Sequence, residues 1–239
     1  MTSTKGNVSY YDAFSDTYED RRHAGYHLFL DQMECAVLEQ VSSGSADLLE
    51  VGCGTGLIMQ RVLPRIGSVV SCDLSLGMLH HAQAKGLRVS RSDAARLPFH
   101  DESFDVVYSF KVLSHIPPIR ETLAEVHRVL RPGGRAVLEF YNRRSLRALR
   151  KRIVRGRVAP GIRENQVYTR YDSLSDIAGY LPPGLEIEAQ RGIMVLTPGA
   201  PVHAIPVVGS LVRALERLAT QSPIGRFGGF LSVIARKSG

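Results

Sequence analysis

The chain has 239 residues and a net charge of +7, with 44% apolar and 22% charged residues, which is typical of a folded globular protein and excludes a disordered one. No run of about 18 apolar residues occurs, so no transmembrane helix is predicted, and the polar N-terminus lacks the apolar segment of a secretory signal. Cysteines at positions 35, 53 and 72 have no metal-ligand spacing, so we expect a cytoplasmic protein without disulfides or a metal.

The N-terminal segment is predicted to be helical. Apolar and aromatic residues at helical spacing predict one helix over residues 8–22 and a second over residues 29–41. The aromatic positions of the first helix are Tyr10, Tyr11, Phe14 and Tyr18. We expect residues 1–41 to form a helical cover.

The stretch LLEVGCGTGLI, residues 48–58, is the most informative part of the chain. A short apolar run predicts a buried strand, three glycines break it, and apolar residues at helical spacing follow over residues 57–62. Such a strand, turn and helix form a nucleotide-binding corner, because a helix N-terminus presents free N–H groups and a positive dipole. The dinucleotide pattern G-x-G-x-x-G would need glycine at Leu57, which disfavours an NAD-dependent oxidoreductase.

Strands and helices alternate after this corner. Strands are predicted at 69–72, 87–90, from 105, and at 135–141, with helices at 76–85 and 119–130; the sequence RPGG ends the second helix. This alternation predicts right-handed βαβ units, and therefore an α/β protein with a mostly parallel sheet and helices on both faces. A last apolar strand is predicted within residues 230–237.

Two aspartates follow predicted strands. Asp73 comes seventeen residues after Gly56, where a carboxylate can accept hydrogen bonds from both hydroxyls of a ribose; the alternative is an N-cap or Asx turn. Asp93 is followed by Ala94, so a carboxylate acceptor lies beside a backbone N–H donor.

The motif EVGCGTG and the segment SDAARLPFHDESFD, residues 92–105, closely resemble the class I S-adenosylmethionine-dependent methyltransferases over residues 10–141. The resemblance implies a Rossmann-like, doubly wound, seven-stranded sheet whose last strand is antiparallel, in a single domain over residues 1–239 with a cofactor-binding core at 48–141. It also implies S-adenosylmethionine as the cofactor, S-adenosylhomocysteine as the product, and no metal.

The same resemblance implies a set of cofactor-binding residues. Asp73 would hold the ribose, and Asp93 together with the Ala94 amide would bind the adenine. A tyrosine hydroxyl of the helical cover would bind the methionine carboxylate, and Arg21 or Arg22 would be a further partner of that carboxylate. The full set is Tyr11, Tyr18, Glu50, Gly52, Cys53, Gly54, Asp73, Leu74, Met78, Ser92, Asp93, Ala94, Ser109 and Phe110. The tyrosines and Met78 could instead be ordinary packing residues.

His115 is the candidate catalytic residue. It follows the fourth predicted strand, whose carboxyl end should face the site, and an imidazole can accept a proton during methyl transfer. The alternative is a structural or substrate-orienting contact.

Residues 142–222 are expected to form a lid and substrate region, with Tyr168, Arg170 and Tyr171 among those choosing the acceptor. Residues 143–157 contain seven arginines, one lysine and no acid. This basic helix could be a solvated lid, bind an anionic substrate, or contact an anionic membrane together with an apolar helix at 207–219. Nucleic-acid binding is disfavoured because no stacking aromatics interleave the arginines.

The sequence therefore predicts a methyltransferase acting on an oxygen, nitrogen or carbon atom of a small molecule, such as a natural product, a sugar or a lipid-like compound. Two alternatives remain open: a catalytically inactive methyltransferase-like binding subunit, and a lipid or quinone methyltransferase working at a membrane surface.

Overall fold

The computed structural model describes residues 4–20, 22–42, 44–153, 157–159, 162–163, 168–197 and 200–239. Within these residues the helices are α1 (Thr4–Phe14), α2 (Gly25–Glu39), α3 (Leu57–Val62), α4 (Leu76–Ala84), α5 (Ile119–Val129), α6 (Leu146–Ile153), α7 (Leu174–Tyr180) and α8 (Pro206–Thr220). The strands are β1 (Asp47–Val51), β2 (Ser68–Asp73), β3 (Val89–Arg91), β4 (Phe104–Ser109), β5 (Leu130–Tyr141), β6 (Arg157–Ala159), β7 (Ile162–Arg163), β8 (Leu185–Ile193) and β9 (Phe230–Lys237).

Seven strands form one sheet in the order β3-β2-β1-β4-β5-β9-β8. The strands β1 to β5 are parallel to one another, and β9 is antiparallel to both β5 and β8. This confirms the predicted α/β class, the doubly wound sheet and the antiparallel last strand. The strand order reverses between β1 and β4, and such a switch point places a crevice at the carboxyl ends of these strands.

Both faces of the sheet are covered by helices because its central strands are apolar on both sides. Leu49 and Val107 pack with the apolar side of α5, whereas Leu48 and Val106 pack with α2 and α3. All four side chains are at most 3% exposed, and each such side chain contributes about 1.5–3 kcal/mol to folding. The two cores fix the strand ends that form the crevice.

The strand β8 was not predicted, because residues 181–206 resemble a Pro/Gly-rich connection. It lies at the sheet edge, where one face remains in water and charged residues are tolerated. Glu188 of β8 accepts a hydrogen bond from Arg135 at 2.8 Å, so its polar residues stabilise the edge.

Several predicted boundaries of helices and strands are wrong. The first helix ends at Phe14 instead of continuing to residue 22, because a 3-10 turn over Ser15–Thr17 replaces it. The RPGG sequence ends α5 but does not delay the next strand, since β5 starts at Leu130 and takes up the glycines through a register shift against β4.

The basic helix is shorter than the predicted 143–157. The hydroxyl of Ser145 accepts a hydrogen bond from the Ala148 amide at 3.1 Å, and this cap starts α6 at Leu146. Residues 154–156 lie outside the described residues, and Arg157 belongs to β6, which pairs with β7. In the described part of the chain, no helix is both long and apolar enough to cross a membrane.

Candidate functional site

A cavity of about 340 Å³ lies at the carboxyl ends of the central strands, beneath α1. Most of the cofactor-binding residues suggested by the sequence line it, together with the candidate base: Tyr11, Tyr18, Gly52, Cys53, Gly54, Asp73, Leu74, Met78, Ser92, Asp93, Ala94, Phe110 and His115. Glu50 and Ser109 do not line the cavity. Both are buried in the sheet, where the Ser109 hydroxyl donates to the Val51 carbonyl at 2.7 Å.

The glycine turn has a conformation and a packing that need glycine. Gly52, Gly54 and Gly56 have φ angles of 81°, 55° and 79°, in the left-handed region that side chains disfavour. A β-carbon at Gly52 would lie 2.5 Å from both methyl groups of Val112. The Gly52 amide donates to the Cys72 carbonyl at 2.8 Å, so the turn joins the ends of β1 and β2.

Asp73 holds the turn and faces the cavity at the same time. Its Oδ2 accepts a hydrogen bond from the Gly54 amide at 2.8 Å, and its Oδ1 accepts one from the Ser75 amide at 2.9 Å. The second bond is the Asx turn that the sequence offered as the alternative. Each carboxylate oxygen has further acceptor capacity, so the two interpretations are compatible. Burial raises the pKa of the Asp73 carboxyl.

The segment around Asp93 forms another part of the cavity wall. The Asp93 Oδ1 accepts a hydrogen bond from the Ala95 amide at 3.0 Å, which fixes the carboxylate beside the Ala94 backbone. Met78 is 2% exposed and lines the same cavity, so it is both a core residue and part of the wall.

The helix α1 closes the cavity through polar contacts at two points. The Asp12 carboxylate accepts hydrogen bonds from the Ser75 hydroxyl and the Gly77 amide at the start of α4. The Asn7 side chain donates to the His115 carbonyl at 2.9 Å and accepts from the Tyr168 amide at 3.1 Å. The cover is therefore tied both to the nucleotide-binding corner and to the segment after residue 167.

A buried cluster of charged side chains adjoins the cavity, and it was not predicted from the sequence. The Lys111 Nζ lies 3.0 Å from Asp31 Oδ1 and 2.9 Å from Glu34 Oε1, and Arg22 donates to Asp31 at 2.9 Å. Arg22 also donates to the Tyr18 hydroxyl at 3.0 Å, whereas Arg21 lies outside the described residues. Burial raises the pKa of Glu34 to about 7. The available sequence signal was the pair Asp31 and Glu34, one helical turn apart in the mainly apolar stretch 28–38 of α2.

His115 is held in a defined orientation. Its Nδ1 lies 2.9 Å from the Tyr168 carbonyl and its Nε2 lies 3.2 Å from the Tyr141 hydroxyl. A carbonyl only accepts, so Nδ1 is the protonated nitrogen of the neutral ring and Nε2 accepts from Tyr141. Nε2 is therefore the unprotonated nitrogen, and the Tyr141 hydroxyl is its hydrogen-bond partner.

Arg147 brings a positive charge to the same part of the cavity. Its guanidinium lies 4.9 Å from the centre of the Tyr141 ring and 4.8 Å from that of Phe230, and stacking of this kind stabilises a cation. Tyr171 lines the cavity beside it. The Arg147 guanidinium is therefore held among aromatic side chains at the cavity wall.

Tyr168 and Arg170 were also predicted to choose the methyl acceptor, but their side chains do not line the cavity. The Arg170 Nε donates to both carboxylate oxygens of Asp172 at 2.9 Å, and its terminal nitrogens donate to the carbonyls of Leu113 and Ile116 at 3.1 Å. It therefore fixes the turn that carries His115. Tyr168 contributes its backbone, through the carbonyl that faces His115.

Replacing Glu50 with glutamine should remove a pH dependence of stability. The Glu50 side chain is 3% exposed and accepts a hydrogen bond from Ser71 at 3.2 Å, and burial raises its pKa from 4.5 to about 8. The stability this group contributes is complete below pH 4.5 and is lost as the pH rises through about 8. Between pH 6 and pH 9 the variant should gain about 2–3 kcal/mol over the original protein.

Urea unfolding at the two pH values measures this difference. Glu186→Gln, at an exposed position of β8, is the control and should follow the original protein. Parallel pH profiles for Glu50→Gln and the original chain would show that Glu50 is ionised in the folded state.

The comparisons with known proteins agree with this geometry. Residues 49–138 match the family model described as a methyltransferase domain. The demethylmenaquinone methyltransferase of Thermobifida fusca is 35% identical over 111 residues, which cover 43% of this chain and 47% of that protein. The phthiotriol/phenolphthiotriol dimycocerosates methyltransferase of Mycobacterium tuberculosis H37Rv is 41% identical over 102 residues, 40% of this chain and 37% of that protein. The chain thus spans less than half the length of these relatives.

Solved structures resemble nearly the whole fold. An S-adenosylmethionine-dependent methyltransferase of Thermotoga maritima, described as a possible histamine N-methyltransferase, superposes with a TM-score of 0.67 at 17% identity, covering 95% of this chain and 98% of that one. Another from Mesorhizobium loti gives a TM-score of 0.60 at 22% identity, covering 87% and 98%. At these identities the likeness establishes the fold.

Proposed function

We propose that the protein transfers a methyl group from S-adenosylmethionine to an oxygen, nitrogen or carbon atom of a small molecule, because residues 49–138 match the family model of a methyltransferase domain. The observation that supports this most strongly is one cavity with two different ends. The glycine turn, Asp73 and Asp93 line one part of it, and His115, Tyr141 and Arg147 line another.

We propose that the cofactor lies along the first part of this cavity. Asp73 would accept hydrogen bonds from the ribose, and Asp93 with the Ala94 amide would bind the adenine edge. Tyr18, Arg22 and Lys111 place donors near the glycine turn, where they suit the methionine carboxylate, and Glu34 suits its ammonium group. Both carboxylates at positions 73 and 93 keep acceptor capacity for these contacts.

When bound, the cofactor supplies a methyl group on a sulfonium that is already activated for displacement. The residues of this chain then need to align the acceptor, exclude water and remove a proton. We assign the acceptance of the proton to His115 Nε2 and the orientation of the acceptor to Arg147 and Tyr141, in a space that α1 covers.

An acceptor with an apolar body and an acidic or nucleophilic group fits this assignment. Phe230, Tyr141 and Tyr171 are the aromatic residues around Arg147, so an anionic or ionisable group of the acceptor would find its partner among apolar surfaces. The names of the two relatives given above refer to demethylmenaquinone and to phthiotriol dimycocerosates, which supports a lipid-like acceptor here.

Isothermal titration with S-adenosylhomocysteine, with NAD as the control, is the first test. We expect micromolar binding of S-adenosylhomocysteine and no binding of NAD. The reverse result would replace the methyltransferase assignment with an oxidoreductase. Transfer of a labelled methyl group to a panel of small molecules then separates an enzyme from a binding subunit, because a subunit would bind the cofactor without releasing S-adenosylhomocysteine.

A further inference from the structure

One side of α8 exposes aliphatic side chains to solvent along its whole length. Val207, Leu211 and Leu218 are 81%, 59% and 74% exposed, and their spacing places them on the same side of the helix. A contiguous apolar surface of this kind usually binds a partner or a membrane.

The opposite side of α8 fixes the helix in this orientation. Glu216 is 1% exposed, and its carboxylate accepts hydrogen bonds from the amides of Val195 and Leu196 and from the Thr197 hydroxyl. Rotating α8 to bury its leucines would leave this carboxylate without donors, which is costly for a buried charge. The buried position of Glu216 therefore keeps the apolar side of α8 facing solvent.

The helix α6 extends the same surface. Leu146 and Leu149 are 69% and 53% exposed. The Asn142 side chain donates to the carbonyls of Arg226 and Gly228 at 2.9 Å and 2.8 Å, which joins the start of α6 to a 3-10 helix that packs against α8. We call these exposed residues the apolar face: Leu146, Leu149, Val207, Val208, Leu211, Leu215, Leu218, Ile224 and Phe227.

The charges around the apolar face indicate which kind of partner binds it. The described residues 142–149 and 200–230 contain six arginines and a single acid, and that acid is the buried Glu216. A second copy of the chain would bring two positive surfaces together, and a nucleic acid would leave the aliphatic side chains without apolar partners. An anionic bilayer satisfies both features, because its headgroups attract the cations while its acyl region accepts the leucines.

We propose that the apolar face binds the surface of anionic phospholipid bilayers, with α8 lying in the plane of the interface. Arg147 lies on α6 between two leucines of this face and also lines the site cavity. Contact with the bilayer would thus bring a lipid-like acceptor next to the acceptor end of the cavity, a consequence that rests on the proposed function.

Flotation of the full chain with vesicles of phosphatidylcholine and phosphatidylglycerol tests the proposal. We expect the protein to float with these vesicles, to bind pure phosphatidylcholine weakly, and to be released by added salt. The triple variant Val207→Gln, Leu211→Gln, Leu218→Gln should partition at least about tenfold less. Because these side chains are exposed, the variant should keep its fold, which circular dichroism verifies.

Three further double variants control for composition and charge. Leu76→Gln with Leu174→Gln changes exposed leucines outside the apolar face and should leave flotation unchanged. Arg144→Gln with Arg226→Gln should lower the partition by about tenfold, whereas Arg88→Gln with Arg120→Gln, at exposed arginines elsewhere, should have little effect.

The proposal fails if the unaltered protein does not float, or if the triple variant floats equally well. A dimer in light scattering that the triple variant dissociates would assign the face to a second copy instead. Flotation needs neither cofactor nor acceptor, so its failure is separate from a failure of the proposed function.

Discussion

His115→Ala should lower the turnover of methyl transfer by about 10²–10⁴-fold while leaving the affinity for S-adenosylhomocysteine nearly unchanged. The imidazole is held by the Tyr168 carbonyl at Nδ1, so its Nε2 is the basic nitrogen toward the cavity. The substitution removes the group proposed to accept the proton, but it leaves every residue proposed to bind the cofactor. The measurement is steady-state release of S-adenosylhomocysteine with an acceptor from the methyl-transfer panel, beside a titration of the product.

Two comparisons show whether His115 acts directly. His100→Ala, at an exposed position outside the cavity, should keep full activity. Tyr141→Phe removes the hydroxyl that lies 3.2 Å from Nε2; retained activity would mean that His115 takes the proton from the acceptor itself, and a loss equal to that of His115→Ala would mean that Tyr141 relays it. A loss below about tenfold in His115→Ala would leave the histidine a positioning residue.

Asp73→Ala should weaken binding of S-adenosylhomocysteine by about 10–100-fold, the equivalent of 1.5–3 kcal/mol for hydrogen bonds to a charged group. The variant loses the acceptors proposed for the ribose and also the bond from the Gly54 amide that holds the glycine turn. Isothermal titration measures the affinity directly and does not require an acceptor.

Asp73→Asn separates the two contributions. The amide oxygen can still accept one backbone N–H, so the turn is largely kept, while one ribose acceptor and the charge are lost. We expect an affinity between those of the original protein and Asp73→Ala. Asp101→Ala, which removes an exposed carboxylate paired with Arg128, is the control; unchanged affinity in Asp73→Ala would exclude the ribose assignment.

The parts of the site that could be predicted are local in sequence. The turn at Gly52 and the acid at Asp73 belong to one strand-turn-helix unit, and the left-handed φ of Gly52 is a backbone requirement that glycine itself reveals. Asp93 lies in a motif long enough to be specific. For these residues the chemistry and the conformation are encoded within a few neighbouring positions.

The parts that could not be predicted depend on distant residues meeting. Lys111 and Asp31 are 80 positions apart, and Asn7 reaches the backbone at His115 over 108 positions. Nothing in either local sequence indicates such a partner, because the contact follows from the packing of α1 and α2 on the sheet. Glu50 differs in the other direction, since it was predicted as a cofactor-binding residue and does not line the cavity. Its side chain is buried within the sheet and accepts a hydrogen bond from Ser71.

The attachment of α1 links the helical cover to the candidate base. The same Asn7 side chain bonds the His115 carbonyl and the Tyr168 amide, so a displacement of α1 would break both hydrogen bonds. Under the proposed function, opening of the cover for the cofactor would therefore also loosen the backbone beside the imidazole, while Arg170 would still hold the turn through the carbonyls of Leu113 and Ile116.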